Sequence, residues 1–379
     1  MDFEQLTKEI IDIRRTLHGI PEMGLQEKLT SKFLKQKLLE WDYHVDCVAG
    51  TGLLALRKGA SGKRPICFRA DMDALPIVEE TDLTYASNNG MMHACGHDGH
   101  MAILLGFAKY LSRIDYIKRD VLLLFQPGEE NVGGAEKVMN DEKFQQYDIE
   151  AMFGLHLFPE IEQGKIGVIP GPMMAQDLLF DIIVEGKGCH GAEPHLGVDA
   201  IYAAAQLIVN YQSIISRNKN TFSPGILSIG KIEGGNVRNQ VAEKVILQGT
   251  MRSFDKETYE ILRKRMDAMN KGIEKMMDVK IQSYFFDYCP PVINDEGIYH
   301  QFIEIIDRDR IVHLNPIMNA EDFGFYQEKI PSLFFMLGCR REDQGYVYPL
   351  HNARFNFSED VLIDGTKIYI DIAEKFGVL

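Results

Sequence analysis

Met92-His93-Ala94-Cys95-Gly96-His97-Asp98-Gly99-His100 runs directly into Met101, Leu104, Leu105, Ala108 and Leu111, which recur at the spacing of one helix face. The stretch gathers a thiol, three imidazoles and a carboxylate just where a helix begins. Thiolate and neutral imidazole are ligands that borderline-soft transition metals prefer, and a Cys-x-His step brings both donors within reach of one ion. The same residues also read as a polar turn in which Asp98 caps the helix and the histidines meet solvent.

Working outward, the cluster sits in a chain of alternating helices and short apolar strands. Helical patterns cover residues 6–17 and 29–39, and strands are expected at 53–56 and 65–70 before the cluster. Beyond its helix come strands at 121–126 and 151–157, flanking a segment that should hold another helix. This alternation predicts an α/β fold with a mostly parallel sheet and helices on both faces. From about Gln176 the rhythm changes to strand 178–184, helix 198–216, strands 225–232 and 244–253, helix 256–277 and strand 279–286. That βαββαβ order is the split unit of ferredoxin-like folds. After Cys289-Pro290-Pro291 the alternation resumes with a strand at 333–338 and a helix at 359–376. The expected organisation is a catalytic domain built from 1–175 and 288–379, with an inserted domain over 176–287.

Length and composition bound the function. At 379 residues the chain exceeds what one core usually serves, so two domains are expected. A formal charge of −14 argues against a nucleic-acid partner, which requires clustered Lys and Arg. The apolar runs are too short to span a bilayer, and the N-terminal residues carry no basic-then-apolar signal. Six cysteines without paired spacing suit a reducing compartment, so a cytoplasmic protein is expected, with Cys95 set apart from the others by its histidine neighbours.

The remaining metal-competent residues fall just past predicted strands. Asp71 and Asp73 follow 65–70, Glu129 and Glu130 follow 121–126, His156 lies in 151–157, and His351 lies in a loop beyond 333–338. In open α/β sheets the crevice beyond the strands' carboxyl ends is where ligands bind, so these distant groups can converge. Pro127-Gly128 precedes the two glutamates and would aim them differently, leaving one to bind metal and one to act as a base. Each signal has a plain structural alternative: an acidic helix start for the glutamates, a satisfied core histidine for His156, an idle loop for His351.

Taken in order, RADMDALP (69–76), MHACGHDGH (92–100), FQPGEE (125–130), FGLH (153–156), GKGCHGAEPH (186–195), GTMRSF (249–254), AEDFGF (320–325) and LHN (350–352) resemble the amidohydrolase branch of the aminoacylase/carboxypeptidase metallopeptidases. Hippurate hydrolases, N-acetyldiaminopimelate deacetylases and N-acyl-amino-acid hydrolases belong to that branch. The resemblance covers essentially the whole chain, and it implies a dinuclear metallopeptidase catalytic domain with an inserted lid and dimerisation domain. It implies that Cys95, His97, Glu130, His156 and His351 bind two divalent ions per subunit, drawn from Zn, Mn, Co or Ni, with Cys95 as the bridge. Glu129 is implied as general base and acid, and Asp73 as a residue orienting a metal ligand. His190 is implied to bond the oxyanion from the neighbouring subunit of a homodimer, Arg252 to hold the substrate carboxylate, and Asn239 to contact substrate nearby. Where many relatives place a metal-binding His two residues before the Asp, this chain has Asp71, whose role stays open. Cys189 replaces a glycine of the common Gly-Gly-His. Asn239-Gln240-Val241-Ala242-Glu243 is similar to diaminopimelate deacetylases.

The activity so implied is hydrolysis of the amide of a small N-acyl amino acid, with no nucleic-acid or membrane partner. Three alternatives stand beside it: a metallo-carboxypeptidase or dipeptidase acting on short peptides, a thiol enzyme with Cys95 as nucleophile, and a non-catalytic amino-acid binder of the same fold.

Overall fold

Buried apolar stripes and pleated runs build the elements where their periods change, and the computed structural model describes residues 2–130 and 133–379. The chain divides into two units. The first comprises Met1–Met173, Ile293–Asn315 and Asp322–Leu379, and the second comprises Met174–Val292 with Pro316–Glu321. Membership of the second unit therefore differs from the expected 176–287 by its ends and by one added segment. Residues 316–321 join it because the Ala175 N–H donates to the carbonyls of Ile317 and Asn319, both at 3.1 Å.

The first unit carries an eight-stranded sheet in the order His44–Val48, Gly52–Arg57, Val121–Gln126, Ile66–Asp71, Ala151–Glu162, Ser332–Arg340, Ile166–Gly167, Ile311–Val312. Its centre, from Val121–Gln126 to Ser332–Arg340, is parallel, while His44–Val48 and Gly52–Arg57 add antiparallel pairs at one side. All six residues of Ile66–Asp71 and of Val121–Gln126 are buried, as strands covered on both faces require. Ile66, Phe68 and Ala70 face the apolar core shared with the helices Phe3–His18, His97–Ser112 and Asp360–Lys375. Arg69 and Asp71, alternating with them, face the other way. The edge strand His44–Val48 was not anticipated, because its His-Val-Asp-Cys-Val sequence lacks an apolar run.

The second unit is a four-stranded antiparallel sheet in the order Gly225–Gly234, Lys244–Ser253, Gln176–Glu185, Lys280–Cys289, with the helices Ala200–Ser213 and Lys256–Met277. Alternate residues Leu178, Phe180, Ile182 and Val184 pack with Ala203, Leu207, Leu262 and Met266 into a separate core. The first helix gives way to a π turn at Ile214–Asn218, where an uninterrupted helix to 216 was expected.

Candidate metal centre

Gly96 makes the cluster possible. Its φ of 85° is left-handed, a conformation that side chains with a Cβ rarely adopt, and it turns the chain between Cys95 and His97 at the start of His97–Ser112. Asp98 does not cap that helix. Its carboxylate instead accepts from Arg14 Nε and His18 Nδ1, both at 2.8 Å, in a fully buried network. The helix presses close to the strand Ala151–Glu162, since a Cβ at Gly99 would lie 2.6 Å from Leu157 Cδ1.

The donor atoms of Cys95, His97 and His156 lie within 4.8 Å of one another, and so do those of Cys95, Glu130 and His351. Cys95 is common to both groups. Its Sγ is 3.4 Å from His156 Nε2. His156 donates from Nδ1 to its neighbour's carbonyl, Leu157 O, at 2.7 Å, which leaves the Nε2 lone pair directed at the cluster. His97 sits close to the Asp73 carbonyl through Nδ1 at 2.9 Å, while its buried Nε2 has no hydrogen-bond partner among the described residues. Glu130 Oε1 pairs with His351 Nε2, 3.1 Å away. His351 adopts a left-handed φ of 63°, and its backbone N–H is anchored on Ala94 O at 2.9 Å.

The electrostatics point the same way. Burial, then the carboxylates of Glu130, Glu129 and Asp71, pushes the Cys95 thiol well up. Burial opposes charge on His97, but Asp71 and Asp73 outweigh it and raise its pKa to about 10. The acids around His97 thus favour positive charge at this imidazole. Burial holds the His156 pKa well below the ordinary histidine value. A buried His97 nitrogen without a hydrogen-bond partner among the described residues, a shared thiol and an excess of acid fit a divalent cation well.

Glu129 and Glu130 owe their positions to a carboxylate beneath them. Asp73 Oδ1 accepts the Glu129 N–H at 3.0 Å and Oδ2 accepts the Glu130 N–H at 2.9 Å. Buried Glu27 takes the preceding Gly128 N–H at 2.8 Å. The Glu129 donor also comes within 4.8 Å of those of His97 and Glu130, so this second acid borders the candidate metal donors without belonging to either Cys95 group.

Within the second unit, His190 and Asn239 stand together: Gly191 N–H donates to Asn239 O at 2.8 Å, and His190 pairs with Gln240. His190 Nδ1 accepts the Ala192 N–H at 3.2 Å, which puts the ring proton on Nε2 of this exposed side chain. Arg252 is held by Asp177, N to O 3.0 Å, which in turn accepts from Thr250 at 2.9 Å. Cys189 donates to Glu193 O at 3.3 Å, a local contact.

Sequence reasoning left Asp71 open and gave no role to His100, Arg14, His18 or Glu27. Arg14 had a signal: it shares the buried face of its helix with Ile10, Ile13 and Leu17, where a charge calls for a partner. His100 lay inside the opening cluster, but nothing in its spacing separated it from the metal donors.

A parallel-centred α/β sheet that gathers a thiol, imidazoles and carboxylates around a site fitted to divalent cations, in a chain that also carries a ferredoxin-like insertion, has the makings of a metal-dependent enzyme. The chain belongs to peptidase family M20/M25/M40, whose model matches residues 67–375. It is 37% identical to the N-acetyldiaminopimelate deacetylase of Oceanobacillus iheyensis, over 97% of this chain and 99% of that one. It is also 37% identical to the N-acetyl-L-cysteine deacetylase of Bacillus subtilis, over 99% and 90%. A dinuclear metal-binding peptidase of the M20 family from Bacillus subtilis has a solved structure at 32% identity, with a TM-score of 0.86 over 99% of this chain and all of that one. Among the described residues no helix is long and apolar enough to cross a membrane.

Proposed function

We propose that this enzyme removes the acyl group from a small N-acyl amino acid, using two divalent ions held by Cys95, His97, His156, Glu130 and His351. The observation that carries this reading is that one thiol, Cys95, is shared by two donor groups. The deacetylase names of the relatives at 37% identity support the substrate class. Zinc suits the thiolate and imidazoles, and the carboxylate also admits manganese, cobalt or nickel.

When bound, such ions would supply a water acidified from a pKa of ~15.7 toward ~7 and a polarised substrate carbonyl. The Glu129 carboxylate would accept a proton from the attacking water and hand it to the departing nitrogen. Asp73 acts as a positioning residue, fixing the backbone of both glutamates. His190, with its proton on Nε2, donates to the carbonyl oxygen as charge develops there. Arg252, steadied by Asp177, offers its remaining N–H groups to the substrate carboxylate, and Asn239 contacts substrate beside His190.

We further infer a homodimer in which the second unit supplies His190 to its partner's site, and a cytoplasmic setting, because Cys95 can ligate only while reduced. Mixing a His190 variant with a Glu129 variant restores activity if the site is shared between subunits.

The decisive assay follows amine release from N-acetyldiaminopimelate, N-acetylcysteine, hippurate and unmodified dipeptides, with and without a chelator. Chelator-sensitive release from acylated amino acids is expected. Cleavage confined to dipeptides, or no turnover with any metal, overturns the reading.

A further inference from the structure

We propose that Asp71 and His100 are positioning residues, not metal ligands, and that they fix His156 by clamping the backbone of Leu157. Asp71, His97 and His100 donor atoms lie within 4.8 Å of one another, so the trio has the makings of a metal group of its own. The hydrogen bonds rule otherwise. Asp71 Oδ1 accepts from His100 Nδ1 at 2.7 Å, and Oδ2 accepts from Arg69 at 2.8 Å. His100 Nε2 accepts the Leu157 N–H at 2.9 Å. A ring nitrogen that accepts an N–H carries no proton, so His100 has its proton on Nδ1, where Asp71 takes it. Both ring nitrogens and both carboxylate oxygens are thus engaged within the protein, and all these side chains are buried.

The clamp acts where the sheet stops helping. The strand Ala151–Glu162 pairs with Ile66–Asp71 only as far as Gly154, matched to Arg69. Three residues on, the Leu157 N–H has passed the end of that ladder, and a buried N–H needs a partner. His100 supplies it. Leu157 O then accepts from His156 Nδ1 at 2.7 Å, which sets the direction of the His156 ring and aims Nε2 toward Cys95. A continuous chain therefore runs from Arg69 through Asp71, His100 and Leu157 to His156. Arg69 is itself held by Gln126 at 2.8 Å and Asp322 at 3.1 Å, so the far end of the chain is fixed in the buried face of the sheet.

This inference rests on His156 binding metal, and its test separates the two. His100→Gln keeps an oxygen near the Nε2 position to accept the Leu157 N–H. His100→Asn keeps a donor near the Nδ1 position for Asp71 but does not reach Leu157. Purified full-length variants are stripped, reloaded with Co²⁺ and titrated with a competing chelator, and the Co²⁺ absorption spectrum is recorded. Loss of an outer partner of a ligating histidine typically weakens metal binding by about 10–100-fold. His100→Asn is expected to show a loss of that order with the histidine ligand count by X-ray absorption unchanged, and His100→Gln to recover most of it. Asp71→Asn, read the same way, serves if the His100 variants fail to fold. Equal, unaltered affinity in these folded variants, or a histidine missing from the ion's shell in His100→Gln, overturns the clamp. His156→Ala with undiminished Co²⁺ affinity instead overturns the ligand assignment on which it rests.

Discussion

The Asp73 carboxylate holds the backbone of Glu130: Oδ2 accepts its N–H at 2.9 Å, while Oδ1 takes the N–H of adjacent Glu129 at 3.0 Å. One buried acid thus sets the direction of the proposed metal donor and of the proposed base beside it. Asp73→Asn replaces one acceptor oxygen with an NH₂ that meets a backbone N–H head-on. Metal affinity by chelator competition is expected to fall about 10–100-fold, with kcat falling further than affinity because Glu129 moves too. Unchanged kcat in the metal-saturated variant counts against this coupling.

Glu129→Gln separates binding from chemistry. The amide cannot take a proton from water, and general acid–base catalysis is worth about 10²–10⁴-fold in rate. The variant is expected to retain its full complement of metal by elemental analysis and to lose at least that factor in kcat. Near-normal turnover with metal bound would remove Glu129 from the proton path.

Cys95→Ala removes the donor common to both groups. Loss of metal at both positions is expected, in contrast to His351→Ala, which touches only one group. Elemental analysis after gel filtration distinguishes them. A covalent acyl adduct on Cys95, seen by mass spectrometry during turnover, would instead restore the thiol-nucleophile alternative.

How far these features were legible follows from what sets them. The parallel centre of the sheet is written in apolar runs such as Val121–Gln126, and the ferredoxin-like unit in a change of rhythm after Gln176. Cys95, His97 and the paired glutamates announce themselves because thiols, imidazoles and acids crowd near helix and turn signals. His100 and Asp71 stayed opaque because their duty depends on where the ladder beside Gly154 ends, a matter of register between strands. Pro316–Glu321 joined the second unit through backbone bonds to Ala175, which no side-chain pattern encodes.

His18 ties folding to pH. Burial lowers its affinity for a proton, but hydrogen bonds to Asp98 and Glu79 outweigh this and raise its pKa above the ordinary value. A group whose pKa is raised on folding stabilises fully below its unfolded value, about 6.5 for histidine, and loses that contribution as pH rises through the folded value. In metal-free protein, the stability difference between wild type and His18→Gln by urea unfolding is expected to be greatest below the ordinary histidine value of about 6.5 and to shrink as pH rises above it. A difference that grows with pH contradicts the sign.

Two glycines offer opposed outcomes from the same substitution. Gly134 opens the helix Gly134–Met139 and donates to Gly128 O at 3.0 Å, in the turn that carries the glutamates. A Cβ there would lie 1.6 Å from Pro127 O and 2.8 Å from Gly128 O, both backbone atoms that cannot swing aside. Gly134→Ala therefore has to displace that turn, at a cost of about 1–3 kcal/mol typical of overpacking, and to lower kcat through Glu129. Gly272 lies within Lys256–Met277, and a Cβ there would meet nothing within 4 Å. Gly272→Ala gains helix propensity of about 0.8–1 kcal/mol and leaves activity unaltered. Thermal unfolding of the two variants should move in opposite directions from wild type, and a Gly134→Ala protein with normal kcat and stability would show that the turn yields more easily than its backbone contacts indicate.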